Sequence, residues 1–544
     1  MAQRPASSPY VRHRPRELRR LYEPLSLLCA LQEQMAEQKD IEVVDAGGAG
    51  GILHPRRDFL NALVQLAAFE QGCDLAITAG YDHDSVVIAV AGSPDVSDRV
   101  IRFLERLLGM VTGALHAGLC AETWNRELSK ISDYVTGLHN ENSFAVYHMI
   151  FHHIAPICIN SMAAESSDPK GMTMASPCSS LRFDFADWFR RTFFSSNGMA
   201  LPKTDMPALV HNCFSAYQDG KFEIFKRFVC QSQRSAGLFE KFHRQLLNLT
   251  MPMAMCELLL KSSNSIRQDL NREIRVCNVP PGERMKIPLV RKKLNLDGIA
   301  HRMFSDSQRS KQLSQVLERF VPAPSKLIER LKYYQENVLT QIHPELRLVD
   351  YFDKSNQVQY FDKYDRYIAT SKPSCYLCSQ YLSHRLNYHL RKCDPNDIDL
   401  HWRLPDIKAA ESSAHFKEQT DILRKITERV RRDVESFVLD RCSESNESLM
   451  DDDISQSFSL STETTTKSEE ISYGEADECP NLYRFPLGTE GDKPLGCGQF
   501  AGGEDGDEED EVVFRGRQGK AGNIFHYLNL VFLFVLLLMS GGLS

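Results

Sequence analysis

The chain has 544 residues, of which 42% are hydrophobic and 25% charged, with a net charge of -8 at pH 7. That is the composition of a globular protein with room for about two to four domains. The negative balance argues against a chain that coats nucleic acid over its whole surface, and 15 scattered cysteines without a regular framework fit a reducing compartment better than a disulfide scaffold.

Residues 1–56 read as a basic leader and helical N-terminal extension, with Arg4, Arg12, Arg14, Arg16, Arg19 and Arg20 and no acid before Glu17. No secretory signal is visible, so the bulk of the chain is expected inside the cell, cytoplasmic or nuclear. The Gly47–Gly51 run lacks the Lys-Ser/Thr of a phosphate loop and a complete dinucleotide fingerprint, and reads as a flexible connector.

Residues 57–98 begin with helical apolar spacing over Arg57–Gln71, through Phe59, Leu60, Leu63, Leu66 and Phe69. Strands are predicted at Asp74–Thr78 and Ser85–Val90, joined by the turn-prone stretch Gly80–Asp84. Residues 99–335 read as mostly helical: Val100–Leu119, Phe144–Ala155, Leu181–Phe194, Phe222–Phe228 and Leu238–Lys261, the last interrupted at Pro252. His148 and His152 share a helical face, but without a Glu between them they read as packing or surface. Between Arg267 and Lys332 there are 15 Lys/Arg against 7 Asp/Glu, including Arg291–Lys293. A solvated helical surface is the commoner reading of that surplus, with a nucleic-acid groove as the alternative.

Residues 336–405 carry the chemistry. His343-Pro-Glu345 is followed by Cys375-Tyr-Leu-Cys378, which supplies one imidazole, two thiols and one carboxylate. Three protein ligands on zinc leave a tetrahedral corner open for water, whose pKa the ion lowers. Tyr367–Thr370 is strand-like, and Cys375–His384 reads as a helix with both thiols in its first turn, where the thiolate form is favoured. Leu346, Leu348, Val349 and Phe352 predict a buried stripe on a helix that starts near His343 and Glu345.

These residues resemble the cytidine-deaminase-like superfamily, whose signature is His-x-Glu followed by Pro-Cys-x-x-Cys. The resemblance is closer to a branch of predicted nucleic-acid or nucleotide deaminases found mainly in fungi and some intracellular bacteria. Lys372-Pro373-Ser374-Cys375-Tyr-Leu-Cys378 and Trp402-Arg403-Leu404-Pro405 carry it. The resemblance implies an α/β fold with a mixed sheet flanked by helices, in which residues 57–98 supply the first helix and two strands and 99–335 form a large helical insertion; the alternative is two independent domains, the N-terminal one unrelated to the chemistry. It also implies His343, Cys375 and Cys378 as Zn2+ ligands, Glu345 as the catalytic acid/base, and a cytosine- or adenine-type substrate, free or polymeric. Ser374, between the proline and the first cysteine, departs from the wider signature and leaves the substrate open.

Two rivals stand beside this reading. One is a catalytically silent zinc-stabilised scaffold. The other is a closed finger-like binding module, Cys375-x2-Cys378-x10-His389-x3-Cys393, which leaves His343 and Glu345 unexplained.

A further helix is predicted at Ala409–Leu439, in the 406–442 segment. Residues 443–520 are rich in Ser, Thr, Asp and Glu and are expected to be disordered. The hydrophobic segment 521–544 follows Arg515, Arg517 and Lys520 and is a candidate tail anchor, short for a bilayer unless Ile524–Leu543 is all counted.

Overall fold

Two neighbouring strands buried on both faces organise the described chain. β1 (Asp74–Asp82) and β2 (Ser85–Ser93) form an antiparallel hairpin over a two-residue turn, in which His83 takes a positive φ of 44°. Ala76, Val87, Ala89 and Ala91 point into one core, while Leu75, Ile77, Ala79, Val86, Ile88 and Val90 point into another. A period-2 pattern that is apolar on both faces requires cover on both sides.

The structure, a computed structural model, describes residues 15–36, 54–158, 185–223, 236–288, 294–320, 324–407 and 413–447, less 119, 156, 186, 196–198, 356 and 392. The glycine run at 47–51, residues 224–228 of the expected Phe222–Phe228 helix, the Arg291–Lys293 cluster, the acidic tail from residue 448 and the C-terminal hydrophobic segment lie outside the described residues, whereas residues 443–447, expected to be disordered with that tail, continue the helix Ala414–Glu447. Among the described residues no helix is long and apolar enough to cross a membrane.

The architecture is α/β with a mixed sheet. Its order is β3 (Glu273–Asn278), β2, β1, β7 (Arg366–Thr370), β9 (Tyr388–Leu390), and β6 (Val358–Tyr360) also pairs with β1. β1 is antiparallel to β2, β6 and β7, whereas β2–β3 and β7–β9 are parallel. The sheet therefore joins strands from both sides of residues 99–335. It also takes β3 from within that stretch, a strand the helical reading of the region omits.

On one face pack α2 (Pro55–Ala67), α3 (Asp98–Ala117) and α7 (Ala236–Ser265), together with α4 (Ala121–Leu138). The core of the other face holds α1 (Pro15–Ala36), α9 (Leu296–Met303), α10 (Ser307–Phe320), α11 (Pro324–Asn337), α12 (Pro344–Lys354), α13 (Tyr376–Ser383) and α14 (Ala414–Glu447). A third apolar cluster, built from α5 (Asn140–Met149), α6 (Met206–Gln218), α7 and described segments between them, is mostly helical.

Two local expectations need correction. α7 runs unbroken from Ala236 to Ser265 through Pro252, because packing against α2, α4 and α6 outweighs the lost backbone bond. β1 extends past Gly80 to Asp82 because Gly80 pairs with Tyr360 of β6 as well as with Val87. Only glycine fits at that position, since a Cβ would lie 2.1 Å from the Gln359 carbonyl oxygen and 2.7 Å from the Phe352 ring.

Candidate metal centre

α12 starts at the site because of two adjacent residues. His343 is its N-cap in extended conformation, and Pro344 at the first helical position presets the helical φ. The helix is held on β1 and β2 by Leu346, Leu348, Val349 and Phe352, all buried as their spacing predicts. Each such side chain contributes about 1.5–3 kcal/mol of burial. His343 and Glu345 are thereby fixed in the first turn, 8% and 7% exposed.

α13 starts the same way. Cys375 is its N-cap, and its sulfur accepts from the Cys378 amide at 3.5 Å. Both thiols are buried, and two helix N-termini, each the positive end of a backbone dipole, meet at one point.

His343 Nδ1 lies 3.4 Å from Cys375 Sγ and 3.5 Å from Cys378 Sγ. Zn–S bonds of about 2.3 Å and Zn–N bonds of about 2.0–2.1 Å at a tetrahedral angle place N and S about 3.5 Å apart. The three donor atoms, all within 4.8 Å of one another, thus fit one tetrahedral ion. Glu345 stands beside them, its Oε2 accepting from the Cys378 thiol at 3.6 Å.

His389 and Cys393 are not part of this group. His389 lies in β9 opposite Tyr367, with its Nε2 4.0 Å from Asp365. Cys393 lies in β10 (Cys393–Asp394), opposite Ser374 of β8 (Ser374–Cys375). Among the described residues, the metal-competent group pairs the two thiols with His343.

Sequence reasoning missed Asp399. Its Oδ2 lies 3.1 Å from His343 Nε2, and its Oδ1 accepts from the His401 amide and contacts His401 Nδ1, each at 2.8 Å. The loop carrying it is tied at both ends: Tyr376 N donates to Asp397 O at 2.9 Å, and Arg403 N donates to Gln341 O at 2.9 Å. A carboxylate behind a ligand imidazole fixes which nitrogen is free to bind. The sequence offers Asp394, Asp397 and Asp399 in one short stretch, and spacing alone does not choose among them.

The electrostatics follow from burial and these contacts. Burial opposes a charge on the His343 imidazole, but Asp399 and Cys375 outweigh it and raise its pKa well above the usual value. The hydrogen bond with Cys378, against the cost of burial and helped by His343, draws the Cys375 thiol down to about 7. Burial, then the neighbouring Cys375, pushes the Cys378 thiol well up. Burial works against ionised Asp399, yet His343 and His401 hold its carboxyl far below the usual carboxylate range.

A pocket of about 250 Å³ opens at the site, where β2 and β7 end and β1 begins. His343, Glu345 and Cys375 line it, together with Asp74, Ser93, Gln341, Thr370, Lys372, Asp397 and Asp399.

Comparison with known families agrees with this geometry. Residues 342–406 match a family model described as an OTT_1508-like deaminase, which puts a deaminase-family domain on the segment from His343 through Trp402. Neither the curated proteins nor the solved structures contain a match to the chain.

Proposed function

We propose that the chain is a zinc-dependent hydrolytic deaminase acting on a cytosine- or adenine-type base. One observation carries this reading: an imidazole and two thiols meet at tetrahedral-zinc spacing, with a buried carboxylate beside them and a pocket in front. We read the β1–β2 hairpin, β7, α12 and α13 as the deaminase-like core and residues 99–335 as an insertion into it. The shared sheet supports this, and the family match covers α12, β7 and α13.

His343, Cys375 and Cys378 would hold the metal, which supplies a water of lowered pKa and a Lewis-acidic centre. Asp399, its carboxylate 3.1 Å from Nε2 of His343, would orient the ring so that Nδ1 faces the sulfurs. Glu345, whose Oε2 lies 3.6 Å from Cys378 Sγ but which is not one of the three clustered donors, moves protons. It takes one from the attacking water and delivers it to the ring nitrogen of the amidine. It then carries the second to the departing amine, which leaves as ammonia while the carbonyl forms. The burial of Glu345 keeps bulk water from short-circuiting these transfers.

The test is ammonia release from free and polymeric cytosine and adenine substrates by the zinc-loaded chain, with and without Glu345→Gln. Turnover that vanishes in the variant supports the proposal. Its absence on every substrate, with zinc bound, would leave the silent scaffold.

A further inference from the structure

The lining of the pocket is unusual for a site expected to meet nucleotides or strands. Four acidic residues line it: Asp74, Glu345, Asp397 and Asp399. Lys372 is the only Lys or Arg among the described lining residues, and its Nζ is already 2.6 Å from Asp74 at the rim. Other nearby cations do not line the pocket. Arg403 is buried and holds Asp406 at 3.0 and 3.2 Å and the Glu283 carbonyl at 2.8 Å. Arg347 is buried on α12 near Glu345, and Arg284 acts on His401. A dication would not reverse the balance, because two ligand thiolates cancel it.

The neutral groups point the same way. Gln341 Nε2 donates to Ser93 Oγ at 3.0 Å. The Thr370 hydroxyl, on a side chain 3% exposed, is a buried oxygen with no hydrogen-bond partner among the described residues. Such an unpaired buried hydroxyl calls for an explanation, and a ligand in this pocket would supply its partner. Carboxylates accept from N–H and O–H donors and repel anions. At about 250 Å³ the pocket is also smaller than the clefts of about 300–1,000 Å³ that enclose drug-sized ligands.

We propose that this pocket takes an uncharged nucleobase or nucleoside, recognised through the Thr370 hydroxyl and the carboxylate lining, and rejects phosphate-bearing forms, monophosphates and strands alike. The inference rests on the deaminase reading of the same site. The amines of the base and the hydroxyls of a sugar supply the donors that the lining needs. A phosphate would stand among carboxylates with no uncommitted lining cation to meet it.

The experiment titrates zinc-loaded full-length Glu345→Gln with cytidine, adenosine, their 5′-monophosphates and a mixed-sequence single strand, using calorimetry at physiological salt. Glutamine removes one of the four charges, which biases the measurement against the expected result. A nucleoside should bind at least about tenfold tighter than its monophosphate, and added salt should narrow the gap by screening the repulsion. Adding Thr370→Val should weaken nucleoside binding several-fold.

Monophosphate or strand binding equal to or tighter than nucleoside overturns the inference, as does failure to bind either nucleoside. Turnover of a phosphate-bearing substrate in preference to its nucleoside by the unsubstituted chain overturns it too, and leaves the deaminase reading standing. Nucleosides that bind as expected but release no ammonia in the unsubstituted chain would do the reverse.

Discussion

Asp399 and His343, 56 positions apart in the sequence, stand 3.1 Å apart with the carboxylate against Nε2, so the nitrogen left for a metal is the one facing both thiols. Asp399→Asn keeps the shape but weakens the hold on tautomer and ring orientation. Zinc affinity, read by competition with a chelating dye, should fall about 10–100-fold while the circular dichroism spectrum stays unchanged.

Zinc binding should be steeply pH-dependent. Near neutrality the Cys378 thiol and the His343 imidazole both carry protons, and Cys375, at about 7, is roughly half ionised. Calorimetry in buffers of different ionisation enthalpy should therefore show about two to three protons released per zinc at pH 7, with affinity rising as pH rises. In the metal-free protein the raised His343 pKa stabilises the fold fully below its ordinary value of about 6.5, and that contribution is lost as pH climbs through the raised value. The depressed Asp399 pKa contributes above the usual carboxylate range and is lost only in strong acid. The metal-free melting temperature should fall on the alkaline side, and Asp399→Asn should flatten that slope.

Glu345→Gln should retain zinc and the melting temperature while lowering turnover of any accepted substrate by about 10²–10⁴-fold. A steady-state ammonia assay checks the rate, and metal analysis of the same sample checks the ion.

His343→Ala and His389→Ala separate the open site from a closed finger. His343→Ala should release zinc or weaken it severely, and His389→Ala should keep it, because His389 faces Asp365 from β9. Zinc content after gel filtration gives the answer, and the opposite pattern would restore the finger.

Gly80→Ala should destabilise the fold by about 1–3 kcal/mol, since the added methyl would meet the Gln359 carbonyl and the Phe352 ring and push β6 and α12 off β1. Denaturant titration measures the loss. Because Phe352 is on the helix that carries Glu345, zinc affinity should fall with it.

Local chemistry determined a good part of this protein. Two-sided apolar runs marked β1 and β2, the Leu346–Phe352 stripe marked the buried face of α12, and the Cys-x-x-Cys spacing placed both thiols on one helix start. These signals are legible because each depends on residues within one or two turns of one another. Tertiary structure decided the rest. It brought the imidazole to the sulfurs rather than leaving His389 and Cys393 beside them, and it selected Asp399 from three nearby acids. It carried α7 through Pro252 and put β3 on the edge of the sheet. Each of those outcomes rests on contacts between segments far apart in the chain, and their energies leave no periodic trace in the local order of residues.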